Sequence, residues 1–482
     1  MRVRFTPSVC VCITFLYWSG TADLSAQEVG DQIVVTSSDA RLLAGDRDLG
    51  EVHWLAFLSV LDINGEWYWV EHEGQKGWIN RKHVATLREA IDVFDEEPSE
   101  KWRHVALART YDQMGDYAAA IPHYSELHEL EPGSTQWLFS RGTCRYFLGE
   151  IDAAIKDLEV LVRIDPRDET TYLFLSLCWQ SRGDYVRAVA CQNSRLELQP
   201  DNANALVSRS GIHAAFGNLQ AALDDCQAAL AISKDDLSVH YQFSSVYLAL
   251  GDLEAALQSI DRAVEIDPES AYTRSQRGVI YWRIGDADKS IAELTRAIDQ
   301  WEAELPALAV NALLVRSKAY ASIGESDLAL ADANRAVELG PQPSVLCNRA
   351  EVYCGVGKYA LAAADFEAAY ESDPFDANTL NSFAWFLATC EEAKYRDGPR
   401  AVELSELVCQ LTSWSHSQYV DTLAAAYAEV GDFERARLWQ GHAAAFADEA
   451  EREDYLSRLA IYQKGSPYRD GEAAPAAPET AP

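Results

Sequence analysis

Positive charge is scarce in this sequence. Lysine and arginine together number 41 against 75 aspartates and glutamates, which gives a formal net charge of −34 at pH 7. A surface this acidic repels both the phosphate backbone of nucleic acids and an anionic membrane. Nucleic acid is therefore not an expected partner, and the excess acid is interpreted as a solvated surface.

Long apolar runs are missing after the first residues, where a membrane-spanning helix would need about 20 apolar residues. The start of the chain differs, because two arginines precede an apolar run from Val9 to Trp18 and small residues follow. This order is typical of a secretory signal peptide over residues 1–26, cleaved after Ala26 or Ala22. We expect an exported protein, periplasmic or secreted, without membrane insertion once the signal is removed.

Catalytic motifs are also absent. The sequence has no His-Glu-x-x-His, no Gly-x-Ser-x-Gly and no glycine-rich loop ending in Gly-Lys-Ser/Thr. His104, His123 and His128 lie close together in the sequence and are interpreted as surface side chains of helices rather than metal ligands. We predict no enzymatic activity, no cofactor and no metal site.

Cysteines with metal-ligand spacing are not found among the ten present. Cys347 and Cys354 lie seven residues apart on one expected helix, about 10 Å at the helical rise, which is too far for a disulfide. Export would permit disulfides elsewhere. The remaining cysteines after residue 26 have apolar neighbours and are interpreted as small packing residues.

What the sequence does contain is a glycine at a constant interval of 34 residues: Gly115, Gly149, Gly183, Gly217, Gly251 and Gly285. An acid follows five of the six, and a small residue lies five positions after each. We predict helical hairpins in which the glycine ends the first helix in a left-handed conformation and the acid caps the second. One hairpin cannot cover its own apolar face, so successive hairpins must stack.

These spacings resemble the tetratricopeptide repeat. The first unit matches its pattern at Leu107, Tyr111, Gly115, Ala120, Tyr124 and Pro132. The resemblance implies a mainly α fold, a right-handed α-solenoid of about ten hairpins over residues 101–450, regular to residue 270 and irregular afterwards. The interval from Gly285 to Gly324 is five residues longer than the period, so we expect a longer second helix near residues 299–307. A C-terminal helix over 451–465 and a disordered Ala/Pro-rich tail over 466–482 follow.

Residues 30–84 have a different pattern, with short alternating runs rich in Val, Ile, Trp and Tyr between turn residues, which predicts a small antiparallel barrel. "NGEWYWVE" and "GQKGWINRKHV" resemble bacterial SH3-like domains, which implies such a barrel over residues 28–90 and possible binding of cell-wall peptides. An acidic linker over 91–100 would join it to the repeats. Trp67, Trp69 and Trp78 are interpreted either as core residues or as one rim of a ligand surface.

The repeat resemblance implies that the first helix of each hairpin lines the concave side of the solenoid, where peptides bind. Counting back three, six, ten and thirteen residues from each glycine places a set of large apolar side chains in that groove, which is typical of a partner site. The predicted groove residues are Phe139, Tyr146, Leu173, Tyr241, Leu248, Tyr272, Trp282 and Leu314. Packing between neighbouring hairpins is the alternative for each of them.

Three functions remain open from the sequence. The favoured one is an exported, non-enzymatic scaffold that binds a protein or peptide segment in the groove while the SH3-like domain docks a second envelope partner. The second is a cell-wall-binding module in which the SH3-like domain binds peptidoglycan and the repeats act as a spacer or oligomerisation element. The third, a regulatory subunit of an envelope enzyme, is not distinguished from the first by any residue.

Overall fold

The structure, a computed structural model, describes residues 30–45, 47–447 and 449–470. The predicted signal peptide lies outside the described residues, as do residues 471–482 of the predicted tail. The chain divides into two compact units, one up to Gln242 and one from Phe243. Among the described residues, no helix combines the length and apolarity needed to cross a membrane.

The N-terminal unit begins with a seven-stranded antiparallel sheet in the order β3-β2-β6-β5-β4-β1-β7. The strands are β1 (Gln32–Val35), β2 (Arg41–Ala44), β3 (Arg47–Glu51), β4 (Phe57–Asn64), β5 (Trp67–His72), β6 (Gln75–Asn80) and β7 (Val84–Thr86), with a 3-10 turn at Arg81–His83. Side chains that alternate along the strands fill its core, among them Ile33, Val60, Tyr68, Val70 and Ile79. The predicted small antiparallel β domain is therefore present, while its SH3-like identity stays a prediction.

Helix α1 (Leu87–Asp95) follows the sheet directly and corrects the predicted linker over 91–100. Thr86 and Glu89 form a capping box at its start, which satisfies backbone N–H groups at the helix N-terminus. Phe94 is buried and its ring lies 5.7 Å from that of Trp54, which precedes β4. The helix was not predicted because this segment is rich in acidic residues and has few apolar residues that pack against the rest of the protein.

Of the 21 helices that follow α1 in the described part of the chain, the first twenty form ten hairpins, as predicted. Those up to residue 242 are α2 (Glu100–Gln113), α3 (Tyr117–Leu130), α4 (Thr135–Phe147), α5 (Ile151–Ile164), α6 (Glu169–Arg182), α7 (Tyr185–Leu198), α8 (Ala203–Ala215) and α9 (Leu219–Ile232). The boundary between the units falls within α10 (Leu237–Leu250).

The C-terminal unit continues with α11 (Leu253–Ile266), α12 (Ala271–Ile284), α13 (Ala287–Glu304), α14 (Ala309–Ser322), α15 (Ser326–Leu339), α16 (Pro343–Gly355), α17 (Tyr359–Ser372), α18 (Ala377–Thr389), α19 (Gly398–Leu411), α20 (Ser417–Glu429), α21 (Phe433–Phe446) and α22 (Glu449–Gln463). Helix α13 has 18 residues where most second helices have 14, so it absorbs the predicted insertion together with a 3-10 turn at Pro306–Leu308. A second 3-10 turn, Ala393–Tyr395, lies in the long loop between α18 and α19.

The periodic glycines mark the turns of the hairpins. Gly251 has φ +78° and donates from its N–H to the carbonyl oxygen of Leu248, while the Asp252 N–H bonds to that of Tyr247. The Asp252 carboxylate then accepts from the Ala255 N–H and caps α11. Other hairpins repeat the positive φ at their glycines, including Gly115, Gly149, Gly183, Gly217, Gly285, Gly324, Gly357 and Gly431.

Five hairpins contain a partly buried arginine that was not predicted from the sequence. The arginine lies eight residues before the turn glycine and donates to an acid eight residues after it. In the α14/α15 hairpin, Arg316 makes two bonds to the Asp332 carboxylate, at 2.7 and 2.8 Å, and a third of 2.9 Å to the Thr295 hydroxyl of α13. The pairs are Arg141–Asp157, Arg209–Asp225, Arg277–Glu293, Arg316–Asp332 and Arg349–Asp365.

Each of these arginines also contacts the preceding hairpin at an equivalent position, ten residues after that hairpin's glycine. The acceptors are Ser125, Asn193, Asp261, Thr295 and Asn334. One guanidinium group thus joins three helices, because its planar array of donors serves a carboxylate and a neighbouring side chain at once. We call this arrangement the arginine clamp.

We predict that Arg316→Leu lowers the local opening free energy of the α14/α15 hairpin by about 3 kcal/mol, because it leaves the buried Asp332 carboxylate without its ion-pair partner. Hydrogen exchange measured by mass spectrometry on peptides from α14 and α15 reads this directly. The matched control is Arg335→Leu on α15, which loses only surface pairs with Glu302 and Glu338 and should cost below about 1 kcal/mol. Equal acceleration of exchange in the two variants would contradict the clamp.

Candidate partner-binding surfaces

The three tryptophans singled out in the β domain lie on its outer face. Along β5 the buried residues are Tyr68 and Val70, so the alternate residues Trp67 and Trp69 point away from the core and are half-buried. Trp69 lies opposite Trp78 in the ladder between β5 and β6, with ring centroids 5.1 Å apart. The interpretation of these tryptophans as core is therefore wrong, because Tyr68, Val70 and other residues fill that space.

The eight predicted groove residues are all half-buried. In the N-terminal unit, Phe139 and Tyr146 pack edge-on against Phe174 of the next hairpin, with centroid distances of 5.5 and 6.3 Å. In the C-terminal unit, the Tyr272 ring lies 5.4 Å from that of Trp301, and Leu314 packs against the same core. These four therefore take part in packing between helices as well as in the surface.

The remaining predicted groove residues are equally intermediate in exposure. Leu173 and Tyr241 belong to the N-terminal unit, and Leu248 and Trp282 to the C-terminal unit. A half-exposed large apolar side chain on a rigid helix can contribute to a partner surface without first unfolding anything. Whether these positions bind a partner stays a prediction.

A cavity of about 320 Å³ lies in the C-terminal unit between α18, α20 and α22. Two of its residues, Gln418 and Asp421, are thirteen and ten positions before Gly431 and so obey the counting rule that selected the groove residues. These two residues were not predicted, because only large apolar side chains at such positions were assigned to the groove. The cavity is lined by Asn381, Trp385, Gln418, Asp421, Thr422, Glu451, Asp454, Tyr455 and Arg458.

Asp421 is the most buried acid of this cavity. Burial raises the pKa of its carboxyl group, while the opposing influences come from the nearby Arg458 and from two hydrogen bonds. Gln440 Nε2 donates to Asp421 Oδ1 at 2.6 Å, and Arg458 Nε donates to the same oxygen at 2.9 Å. These hydrogen bonds therefore hold the Asp421 carboxylate and the Arg458 guanidinium in fixed positions in the wall of the cavity.

Arg458 is also surrounded by aromatic rings. Its guanidinium carbon lies 5.5 Å from the ring centroid of Trp385, 5.1 Å from that of Tyr455 and 5.6 Å from that of Tyr468. A cation over aromatic faces is stabilised by the ring quadrupoles. The three rings and the ion pair with Asp421 therefore hold the Arg458 guanidinium in one position.

The histidines near the start of the repeats do not form a metal-binding cluster with other ligands. His104 and His123 lie with their Nδ1 atoms 2.9 Å apart, at hydrogen-bond distance. Burial lowers the pKa of His123, and the neighbouring His104 lowers it further. In the part of the chain that the structure describes, no group of three or more His, Cys, Asp or Glu side chains is placed to hold a metal ion.

Comparison with known protein families matches much of the helical region. One tetratricopeptide repeat model matches residues 213–277, and a second matches residues 105–169, 180–236 and 275–342. A curated relative is the small glutamine-rich tetratricopeptide repeat-containing protein 2 of Mycosarcoma maydis, 33% identical over 87 residues, or 18% of this chain and 25% of that protein. The chain thus matches only about a quarter of the length of this relative.

Solved structures of similar fold include a tetratricopeptide repeat protein of Parabacteroides merdae, 16% identical, with a TM-score of 0.42 over 50% of this chain and 93% of that one. Yeast Tom70 is 14% identical, with a TM-score of 0.45 over 78% of this chain and 92% of that one.

Proposed function

Because this chain carries tetratricopeptide repeats, whose proteins generally serve as scaffolds for protein–protein interactions, we propose that it is a non-enzymatic scaffold binding a partner segment along its first helices. The observation that carries this proposal is the cavity between α18, α20 and α22, where Gln418 and Asp421 lie thirteen and ten residues before Gly431, the same spacing as predicted groove residues of other hairpins. Fixed polar groups beside aromatic walls are what a peptide site needs for orientation and affinity.

The half-buried side chains of the first helices extend this proposed surface within each unit. Tyr241 and Trp282 are large and partly exposed, and they belong to rigid helices. Aromatic side chains dominate the affinity of protein interfaces because they bury much surface at low entropic cost. We assign the second docking surface, for an envelope partner, to the outer tryptophans of the β domain.

We predict that Trp282→Ala and Tyr241→Ala each weaken a captured partner by about 1 to 3 kcal/mol, because each removes an aromatic contact from the proposed groove. The partner would first be identified by affinity capture from an envelope extract with the intact mature chain. Its dissociation constant with each variant would then be measured by calorimetry. The control is Phe375→Ala, a 68% exposed aromatic in the loop between α17 and α18. Unchanged affinity in both groove variants would refute the groove.

A second candidate function is cell-wall binding by the β domain, with the repeats as spacer. The paired rings of Trp69 and Trp78 on its outer face favour this alternative, because exposed aromatic faces stack on sugars and peptides. If it holds, Trp69→Ala in the mature chain should reduce co-sedimentation with purified peptidoglycan about fivefold or more. Trp414→Ala, which removes a 40% exposed tryptophan of the C-terminal unit, should leave it unchanged. Absence of sedimentation by the wild-type chain would eliminate this alternative.

The scaffold is proposed to act after export, and its cysteines are compatible with an oxidising environment. The eight cysteines among the described residues are free, and all but Cys354 are buried. Burial raises the pKa of the Cys191 and Cys409 thiols to about 12 each. The thiolate is the reactive form, so these groups stay protonated and inert well above neutral pH.

We predict that the protein recovered from the envelope or medium begins at Gln27 or Asp23 and has eight thiols per chain. Seven of these thiols should react with a maleimide only after unfolding, because they are buried and protonated, while Cys354 is partly exposed. Intact-mass spectrometry before and after denaturation gives both results. A mature chain with ten reactive thiols would retain Cys10 and Cys12 and would contradict signal removal.

A further inference from the structure

The chain beyond α22 does not leave the protein surface but returns to it. Gly465 has φ +72° and its N–H bonds to the Tyr462 carbonyl, which ends the helix and turns the backbone. Residues 466–470 then run without helix or strand along the ends of α18 and α20. The prediction of a disordered tail is therefore wrong for these five residues, which we call the docked tail.

The backbone of the docked tail bonds to the last turn of α18. The Asp470 N–H donates to the Thr389 carbonyl oxygen at 3.1 Å, and the Arg469 guanidinium donates to the Ala388 carbonyl oxygen at 3.1 Å. The last carbonyl groups of a helix have no partner within the helix. The Phe386 and Leu387 carbonyl oxygens of α18 already accept from the Cys390 and Asp397 N–H groups, so the Ala388 and Thr389 oxygens are the two acceptors that the tail fills.

Three consecutive side chains of the docked tail each contact a different set of residues. The Tyr468 ring lies 5.8 Å from the Trp385 ring and under the Arg458 guanidinium. Arg469 forms an ion pair of 2.5 Å with Glu429 at the end of α20. These contacts are specific for an aromatic residue followed by a positively charged one.

The next residue, Asp470, also makes specific contacts. The Asp470 carboxylate accepts a hydrogen bond of 2.9 Å from the Trp385 indole N–H and one of 2.8 Å from the Thr389 hydroxyl. Burial raises the pKa of this carboxyl group, and its direct donors are uncharged. Main-chain bonds together with one place per side chain are the features of a peptide-recognition site.

The docked tail also borders the cavity already described, with which it shares Trp385 and Arg458. Its residues Tyr468, Arg469 and Asp470 are only half-buried, so they lie on the helices rather than within their core. A ligand longer than this tail can therefore continue from the Tyr468 position into open space. Such continuity is what a partner segment needs in order to displace a tail of three anchoring residues.

We propose that the ends of α18 and α20 form a binding site for an extended partner segment with an aromatic residue, an arginine and an acid in sequence, and that the docked tail occupies it until such a partner arrives. This inference rests on the proposed function and names the chemistry of one partner segment. A tail tethered a few residues from its site competes at an effective concentration in the millimolar range, so the partner must bind tightly or make further contacts in the cavity.

The test uses the full chain with Tyr468→Ala and Asp470→Ala, which frees the site. The probe is a fluorescent peptide with residues 464–471, Lys-Gly-Ser-Pro-Tyr-Arg-Asp-Gly, measured by anisotropy. We expect the freed variant to bind this peptide at least about tenfold more tightly than the wild type, because the tethered competitor is gone. The control Lys464→Ala with Ser466→Ala, at exposed positions, should behave as the wild type. A peptide with Ala in place of Tyr and Asp should not bind.

A further substitution locates the binding. Adding Thr389→Val to the freed variant keeps the shape of the side chain but removes a donor to the acid, and should weaken the peptide about fivefold or more. No binding by the freed variant up to about 1 mM peptide, the effective concentration expected of a tether, would overturn the proposal. So would a freed variant that unfolds at much lower temperature than the wild type, because the tail would then be an integral part of the fold.

Further outcomes distinguish this inference from dimer formation through the tail and from the groove proposal. A concentration-dependent dimer of the wild type that disappears in the freed variant, seen by analytical ultracentrifugation, would assign the site to the tail of a second copy and overturn the partner assignment. Loss of peptide binding together with partner capture that still depends on Trp282 would defeat this inference alone. Peptide binding by the freed variant together with a partner insensitive to Trp282 and Tyr241 would defeat only the groove proposed above.

Discussion

The arginine clamp is the interaction on which the arrangement of the hairpins most directly depends. A stack of amphipathic hairpins buries a continuous apolar strip, and in five hairpins the clamp adds directed hydrogen bonds to this packing. Each guanidinium group is held by a carboxylate of its own hairpin and by a side chain of the preceding one, which favours one orientation of the two hairpins. In Arg349 these bonds measure 2.7 and 2.8 Å to Asp365 and 3.1 Å to Asn334. In these five hairpins the clamp therefore helps to set the orientation of the first helix, on which the arginine lies.

Much of the helical fold could be predicted because its signals are local and repeat. A left-handed turn such as that at Gly251 needs glycine, and the close approach of the two helices needs a small residue such as Ala256, which is fully buried. The clamp has the same period but was not predicted, because the excess acid was interpreted as a solvated surface and charged pairs such as Arg316 and Asp332 were not singled out. Their burial depends on a contact across the hairpin, which no pattern along a single helix contains.

The candidate sites, too, could be predicted only in part from the sequence. The counting rule places residues on the first helices, but whether a side chain such as Phe139 packs on a neighbour or faces solvent depends on the size of residues in the next hairpin, here Phe174. The order of the docked tail was beyond sequence reasoning for another reason. Its composition provides too little apolar surface to fold alone. It is held by Trp385 and Thr389, about 80 residues earlier in the chain, through contacts that composition cannot indicate.

The overall acidity gives the proposed tail site a further physical consequence. At a net charge of −34, the protein attracts basic segments over a distance comparable with the Debye length, about 8 Å at physiological ionic strength, and repels acidic ones. In the docked tail, Arg469 is the only basic residue that this negative charge can attract. Its partner Glu429 also forms an ion pair with Arg396 at 3.0 Å. A partner segment that carries additional lysines or arginines around the same three residues would associate faster than a segment with the sequence of the tail. Charge thus sets the rate of encounter, while the contacts at α18 and α20 set which segment stays.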